Sequence, residues 1–258
     1  MKSSVFIAKY LQKNGITHVF ELIGGMITHL IDSINRESKI QIISCHHEQC
    51  AGFSAEGMAR INGIPGIALA TSGPGATNLL TAMGSCYFDS VPVLFITGQV
   101  NTHELKNQRK IRQLGFQETD IVSIAKPLCK YAVQVKKSQD LPSILKKSFE
   151  IALEGRQGPC LIDIPMDIQS DNIQDELAKI FLDEKIKTNN YQVNSDKKCK
   201  NNFDIHQQIN LLRNDVLKAK KPLILAGGGC SAFKNRNSSR EIIKKLKIPV
   251  VLSLLGVD

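Results

Sequence analysis

The residues best suited to chemistry lie in two segments, around Glu48 and between Thr71 and Asn78. Glu48 opens the apolar-periodic segment HHEQCAGFSAEGMAR, and the glycine-rich run TSGPGATN follows after one predicted strand. A carboxyl group can exchange a proton with a ligand, and a Gly-Pro-Gly turn lets the backbone approach a flat ligand closely. In an α/β sheet such groups meet at the carboxyl ends of strands, so the two segments predict one ligand site.

Each segment also has a plainer interpretation. The helix dipole favours an acid in a first turn whatever else that acid does, and a glycine-rich run can be only a turn. A zinc site of the His-Glu-x-x-His type is excluded because Ala51 stands where the second histidine is needed. A dinucleotide fingerprint is disfavoured because Asn78 replaces the third glycine and no acid ends the next strand.

The composition predicts an α/β protein. The 258 residues are 42% hydrophobic but only 5% aromatic, which suits aliphatic strands packed under helices. The formal charge of +9 owes much to lysines between residues 185 and 200, and a solvated linker explains it better than a nucleic-acid surface. Seven cysteines without a Cys-x-x-Cys pair, and a start unlike a signal peptide, predict a reducing, cytoplasmic location. No apolar stretch reaches membrane-spanning length.

The elements that would position the two segments alternate between helix and strand. Strands are predicted over 18–22, 40–44, 66–71, 91–97 and 160–164, and helices over 3–14, 26–35, 48–61, 76–87 and 140–154. This order predicts a parallel sheet flanked by helices. Residues 101–117 are polar, basic and long for a connection, which favours a functional loop.

The pattern divides the chain into a first domain over 1–170, a linker over 171–204 and the start of a second domain over 205–258. The linker is rich in charged and amide side chains. The last stretch predicts an incomplete Rossmann-like α/β unit with helices over 205–219 and 239–246 and strands over 222–226 and 249–254. Two strands and two helices cannot enclose a core, so we expect this second domain to be cut short.

Together these runs resemble the amino-terminal, pyrimidine-binding domain of thiamine diphosphate enzymes of the acetolactate synthase type. The segments that carry the resemblance are VFELIGG, HHEQCAGFSAEGMAR, TSGPGATN, DSVPVLFITGQV and GFQETDIV. The resemblance covers residues 1–170 almost without gaps. The remainder resembles the start of the family's central domain.

The resemblance implies that Glu48 hydrogen-bonds N1′ of the cofactor's aminopyrimidine ring. A buried, neutral, donating carboxyl favours the imino tautomer, which removes the thiazolium C2 proton and leaves an ylid that attacks a 2-oxo acid. By the same resemblance the pyrimidine pocket is lined by Gly24, Gly25, Gly73, Pro74 and Asn78. Phe116 and Gln117 would face the substrate, with Gln117 also assigned to catalysis, and Lys130 is a further substrate candidate. A core aromatic at Phe116 and a surface charge at Lys130 are the alternatives.

Three departures from the family bear on function. Glu21, Leu22 and Ile23 stand where the family has Gly-Ile-Pro, so we expect a differently shaped first turn. The loop 101–115 is longer and more basic than in biosynthetic acetolactate synthases, which leaves the donor and acceptor carbonyl compounds open. The diphosphate-binding domain is absent, so the Mg²⁺ ligands are expected outside this chain, and the chain alone is expected to be inactive.

The sequence therefore predicts the amino-terminal part of an enzyme that decarboxylates a 2-oxo acid, pyruvate by default, and ligates the product to a second carbonyl. Its partners would be a second copy of the chain, in at least a dimer, or a carboxy-terminal chain. The alternatives are a non-catalytic or split-subunit partner of such an enzyme, and a related enzyme for another 2-oxo acid or a diketone. A nucleotide site, including FAD, is a third hypothesis that depends on Gly227, Gly229 and Ala232.

Overall fold

A computed structural model describes residues 1–184, 205–231 and 236–256 of the chain. The chain divides into two compact units, Met1–Lys187 and Thr188–Asp258. Within the described residues, no helix has both the length and the apolar character that crossing a bilayer requires.

The first unit is built on a six-stranded parallel sheet with the order β2-β1-β3-β4-β6-β5. Its strands are β1 (His18–Leu22), β2 (Gln41–Ser44), β3 (Gly66–Ala70), β4 (Val93–Gln99), β5 (Tyr131–Gln134) and β6 (Cys160–Pro165). Its helices are α1 (Ser3–Lys13), α2 (Thr28–Glu37), α3 (Glu48–Asn62), α4 (Pro74–Asn78), α5 (Leu80–Asp89), α6 (Ile121–Ala125), α7 (Leu141–Leu153), α8 (Met166–Ser170) and α9 (Asp175–Asp183). The predicted parallel sheet flanked by helices is confirmed.

The central strands owe their position to largely apolar sequences. Every residue of β3, β4 and β6 is buried, as expected for parallel strands covered by helices on both faces. On one face the sheet packs against Phe6, Tyr10 and Phe149 from α1 and α7. On the other face Phe95 packs with Met83 of α5 and other buried side chains.

Two features differ from the sequence prediction. Strand β5 was not predicted, and it pairs with β6 at the edge of the sheet. The boundary predicted at residue 170 is too early, because α9 packs on the first unit with Ala178 fully buried. The amino group of Met1 also donates to Asp175 Oδ1 at 2.6 Å, which ties α9 to the chain's beginning. The rest of the predicted linker, 185–204, lies outside the described residues.

The second unit contains a two-stranded parallel sheet, β7 (Ile224–Ala226) and β8 (Val250–Leu252). Its helices are α10 (Ile205–Lys218), α11 (Gly228–Ser231) and α12 (Arg236–Leu246). Both predicted strands are therefore present. Leu223, Leu225 and Leu254 are largely exposed, so much of the apolar surface that this unit carries is not buried within it.

Candidate functional site

The site lies where the strand order of the sheet reverses. The chain passes from β1 outward to β2 and then returns across β1 to β3. In open α/β sheets, ligands bind at the carboxyl ends of the strands at such a reversal. Gly24 follows β1, Glu48 follows β2 and Thr71 follows β3, so all three lie at this edge.

The first glycine turn is held at both its amide and its carbonyl. The Met26 amide donates to Thr71 Oγ1 (3.2 Å), and Nε2 of Gln169 donates to the Met26 carbonyl (2.7 Å). A Cβ on Gly24 would lie 2.5 Å from Thr71 Cβ, whereas a Cβ on Gly25 would meet nothing within 4 Å. Gly24 therefore packs against the end of β3, and Gly25 leaves open space beside it for a ligand.

Glu48 is the first residue of α3 and is buried, with 7% of its surface exposed. The helix begins there because the side chain of His47 accepts from the Gln49 amide at 3.1 Å and caps the first turn. Nδ2 of Asn78 donates to Glu48 Oε2 at 2.9 Å. Because one carboxyl oxygen is occupied by Asn78, the chemistry of this group falls to Oε1.

The glycine-proline turn brings bare backbone close to that free oxygen. Gly73 has φ +65° and ψ −129°, a combination open to glycine almost alone, and Pro74 begins α4. A Cβ on Gly75 would lie 3.3 Å from Glu48 Oε1. The buried Ser72 hydroxyl has no hydrogen-bond partner in the described part of the chain. The turn thus offers a cradle, free of bulky side chains and with one unused hydroxyl, that fits a flat heterocycle beside Glu48.

Phe116 and Gln117 differ in their relation to this turn. Phe116 is 74% exposed, which does not fit the alternative of a core aromatic. Gln117 has φ +59°, a rare conformation for a residue other than glycine. A Cβ on Gly73 would lie 2.7 Å from Gln117 Cβ, so Gln117 packs directly on the turn.

Lys130 lies at the amino ends of the strands, opposite to the carboxyl ends where Glu48 lies. It precedes β5, whereas Glu48 follows β2, and parallel strands keep their starts and ends at opposite edges. Its ammonium group donates to the Glu154 carbonyl (2.6 Å) and to the Ile151 carbonyl, at the end of α7. Burial lowers the pKa of Lys130 below its usual range. The structure thus gives Lys130 a helix-capping position away from Glu48.

Sequence reasoning did not single out Thr71, Gly75 or Gln169. The first two lie inside the quoted run TSGPGATN, so their position after a strand could have identified them. Gln169 has no local signal, because the Met26 carbonyl that it contacts lies 143 residues earlier. Within the described residues, no group of three or more His, Cys, Asp or Glu side chains is arranged to hold a metal ion.

A hydrogen-bond network around one buried acid, Asp163, contacts the segment that follows Gln117. Asp163 is fully buried in β6 and accepts from Thr97 Oγ1 (2.7 Å), Gln134 Nε2 (2.9 Å) and Gln99 Nε2 (3.1 Å). Nε2 of Gln99 also donates to the Thr119 carbonyl at 2.7 Å. Burial raises the pKa of Asp163 to about 6, although the three hydrogen bonds oppose the shift.

We expect Asp163→Asn to remove a pH dependence of stability. The pKa of Asp163 is higher in the folded chain than its ordinary value of 3.8, so protonation of this group stabilises the folded state. The stabilisation is fully present below pH 3.8 and is lost as the pH rises through about 6. The free energy of unfolding of wild type minus that of Asp163→Asn should therefore fall by about 3 kcal/mol as the pH rises from below 3.8 to above 6. Urea unfolding of both proteins between pH 3 and pH 7 measures the difference. Asn fits because the Thr97 hydroxyl can accept from its amide.

The exposed Asp140 provides a matched control. Asp140→Asn makes the same chemical change at the surface and should leave the pH profile of the wild type intact. Parallel profiles for wild type and Asp163→Asn would show that Asp163 does not titrate as its burial requires.

Comparison with known proteins places the site in a family context. Residues 1–124 match the family model described as "Thiamine pyrophosphate enzyme, N-terminal TPP binding domain". Glu48, the glycine-proline turn and the Phe116–Gln117 segment all fall within that range.

Similar curated proteins include bacterial and plant acetolactate synthases. The acetolactate synthase large subunit of Buchnera aphidicola subsp. Schizaphis graminum is 34% identical over 258 residues, which is 100% of this chain and 42% of that protein. Acetolactate synthase 2, chloroplastic, of Nicotiana tabacum is 35% identical over 256 residues, 99% of this chain and 36% of that protein. The acetolactate synthase isozyme 3 large subunit of Escherichia coli K12 is 32% identical over 258 residues. The chain spans about two fifths of the length of these relatives.

Proposed function

This chain belongs to the thiamine pyrophosphate enzymes, and from that premise we propose that it supplies the pyrimidine side of an acetolactate synthase-like active site. The complete enzyme would decarboxylate a 2-oxo acid, pyruvate by default, and join the product to a second carbonyl. The observation that carries the proposal is the buried Glu48 carboxyl, with Oε2 held by Asn78 and Oε1 turned toward Gly75.

In this proposal Glu48 moves a proton at a ring nitrogen of thiamine diphosphate. Asn78 keeps Oε2 as an acceptor, so Oε1, the oxygen beside the cradle, is the atom proposed to exchange a proton with the ring. Burial keeps water from competing for that proton. Thiamine diphosphate, when bound, supplies the carbon nucleophile that attacks the 2-oxo acid. The residues proposed to hold its pyrimidine ring are Gly24, Gly25, Gly73, Pro74 and Asn78.

Gln117 and Phe116 are proposed to face the substrate. Gln117 packs on the turn at Gly73, and Phe116 presents an exposed ring next to it. An amide can donate to a carboxylate or a carbonyl oxygen, which are the two polar groups of a 2-oxo acid. This pair thus offers a hydrogen-bond donor and an apolar surface side by side.

The diphosphate and its Mg²⁺ are proposed to take their ligands from outside this chain, so the chain by itself would not turn over substrate. FAD remains a lesser proposal. It depends on Gly227 and Gly229 after β7, and Ala232, which completes the spacing, lies outside the described residues. The free cysteines among the described residues support a reducing, cytoplasmic location.

Association with a second copy, or with a carboxy-terminal chain, is the proposed route to a complete site. Helices α3 and α5 expose large apolar side chains that the first unit does not cover: Phe53, Ile61, Tyr87 and Phe88. Apolar surface of this kind favours protein contacts over solvent. These helices begin at Glu48 and shortly after Asn78, so a chain that covers them lies next to the site.

A related enzyme for a different 2-oxo acid or a diketone is the second candidate, favoured by the basic loop near Gln117. Lys106, Arg109, Lys110 and Arg112 lie in that loop. Glu21, where the family has glycine, is buried and accepts from the Ser44 hydroxyl next to the first glycine turn. Both features alter the surroundings of the site without removing Glu48.

The proposed function is tested by completing the site. The chain is mixed with a polypeptide that supplies the diphosphate-binding domain, together with thiamine diphosphate and Mg²⁺, and acetolactate formation from pyruvate is measured. Turnover that requires both polypeptides supports the proposal. Turnover with other 2-oxo acids but not with pyruvate supports the second candidate. If the chain stabilises a complete enzyme, and does so equally well when Glu48 is substituted, the chain is a non-catalytic partner.

A further inference from the structure

Gln117 occupies a backbone conformation that its own side chain disfavours. Its φ of +59° lies in the left-handed region, where a residue with a Cβ is strained. Such a residue persists only when its surroundings fix it. The contact with Gly73 is one restraint, since Gln117 fills the space that a Cβ there would occupy.

The carboxylate of Glu118, the next residue, provides a stronger restraint. Its Oε1 accepts from the Lys106 amide at 2.7 Å, and its Oε2 accepts from the Leu114 amide at 2.8 Å. One side chain thus closes both ends of the loop 106–114. Hydrogen bonds from backbone amides to a carboxylate are about twice as strong as those between neutral groups.

The turn between the loop and Glu118 is fixed as well. The Gly115 amide donates to the Glu104 carbonyl at 2.9 Å, and the Glu118 amide donates to the Gly115 carbonyl at 3.2 Å. A Cβ on Gly115 would lie 2.8 Å from a methyl carbon of Val100, so this turn already packs against the end of the sheet. The backbone on each side of Phe116 and Gln117 is therefore tied down.

The loop carries charges that Glu118 does not neutralise. In the part of the chain that the structure describes, no carboxylate lies within ion-pair distance of its basic side chains, which are Lys106, Arg109, Lys110 and Arg112. The Glu118 oxygens are used on backbone amides instead. Glu118 thus acts on the shape of the loop rather than on its charge.

We infer that Glu118 is a positioning residue that closes the loop 106–114 and thereby holds Gln117 against Gly73, with Phe116 exposed beside it. The part of this inference that concerns the 2-oxo acid rests on the proposed function. The part that concerns the conformation of Gln117 does not, and it can be tested on the chain alone.

The first experiment compares Glu118→Ala with wild type in the full chain, without cofactor. Hydrogen exchange at the Lys106 and Leu114 amides should accelerate at least about tenfold, since each loses a bond to a charged acceptor. The NMR contact between Gln117 and Gly73 should disappear while the melting temperature changes little. Glu118→Gln keeps one acceptor oxygen, so it should release one loop end and partly rescue the contact.

Asp120→Asn is the matched control, because it removes a charge from the same segment. Asp120 caps α6 through the Ser123 amide at 3.1 Å, and among the described residues its side chain has no hydrogen bond or ion pair with Lys106 or Leu114. Asparagine preserves the cap. Both amides and the Gln117 contact should match wild type in this variant. A Gln117 contact that survives in Glu118→Ala overturns the inference.

The second experiment separates positioning from substrate binding. In the completed enzyme, Glu118→Ala should raise KM for the 2-oxo acid about tenfold while kcat and thiamine diphosphate affinity stay within about threefold. If the Gln117 contact is lost but KM is unchanged, positioning by Glu118 stands and the proposed substrate role of Gln117 fails. If kcat falls with KM unchanged, the segment serves the chemical step instead, which overturns a role in substrate binding.

Discussion

Glu48→Gln should lower kcat of the completed enzyme by about 10³-fold, the middle of the range for losing a positioned acid-base group. Glutamine has nearly the same shape and can still accept from Asn78, so the fold and the first turn of α3 should be preserved. Its amide can donate a hydrogen bond to a ring nitrogen but cannot exchange a proton with it. The measurement is steady-state kcat, with cofactor affinity determined in parallel and expected to change much less.

Glu37→Gln is the matched control for this substitution. Glu37 is an exposed acid at the end of α2 whose only described ion pair, to Lys9 at 3.5 Å, lies at the surface. Exposed pairs of this kind contribute little, so kcat should equal that of wild type. A Glu48→Gln enzyme that turns over at the wild-type rate would remove Glu48 from the mechanism and leave the glycine cradle as a binding feature only.

Gly73→Ala should destabilise the chain by about 4 kcal/mol. A φ of +65° with ψ −129° costs a residue with a Cβ about 1–3 kcal/mol. The added methyl would lie 2.7 Å from Gln117 Cβ, and overpacking adds a further 1–3 kcal/mol or so. The free energy of unfolding from urea titration measures the sum.

Gly57→Ala is the same chemical change, but we expect it to stabilise the chain rather than destabilise it. Gly57 lies in the middle of α3, and a Cβ there meets nothing within 4 Å. Alanine should therefore stabilise the chain by about 0.5–1 kcal/mol, through helix propensity alone. Equal effects at the two glycines would contradict the conformation assigned to the turn at Gly73.

The parts of the fold that sequence could predict are those with an unmistakable local pattern. Largely apolar runs predicted β3, β4 and β6, because a strand buried on both faces needs few polar side chains. Strand β5 was not predicted because it is short, half-buried throughout and lies at the sheet edge. A short helical piece after residue 170 was predicted, but it was assigned to the linker because its charged residues do not reveal the burial of Ala178 against the first unit.

The site divides in the same way. Glu48 and the turn at Gly73 were recognisable because each follows a strand and carries a motif of adjacent residues. The sequence predicted that Asn78 and Glu48 line the same pocket, but it did not predict the hydrogen bond between them. The geometry of that bond depends on how α3 and α4 pack. The left-handed Gln117 has no sequence pattern at all, because asparagine or glycine would be the usual choice there.

The hydrogen bond from Gln169 to the Met26 carbonyl has a consequence for how the binding site matures during synthesis. The residues that match the family model have all been synthesised once residue 124 has been added, but the side chain that supports the first glycine turn comes from α8, after the last strand that joins the sheet. A nascent chain that stops short of α8 would bear the recognisable motifs around an unbraced turn. Construction of this binding site therefore ends with one of the last pieces of the first unit to be translated.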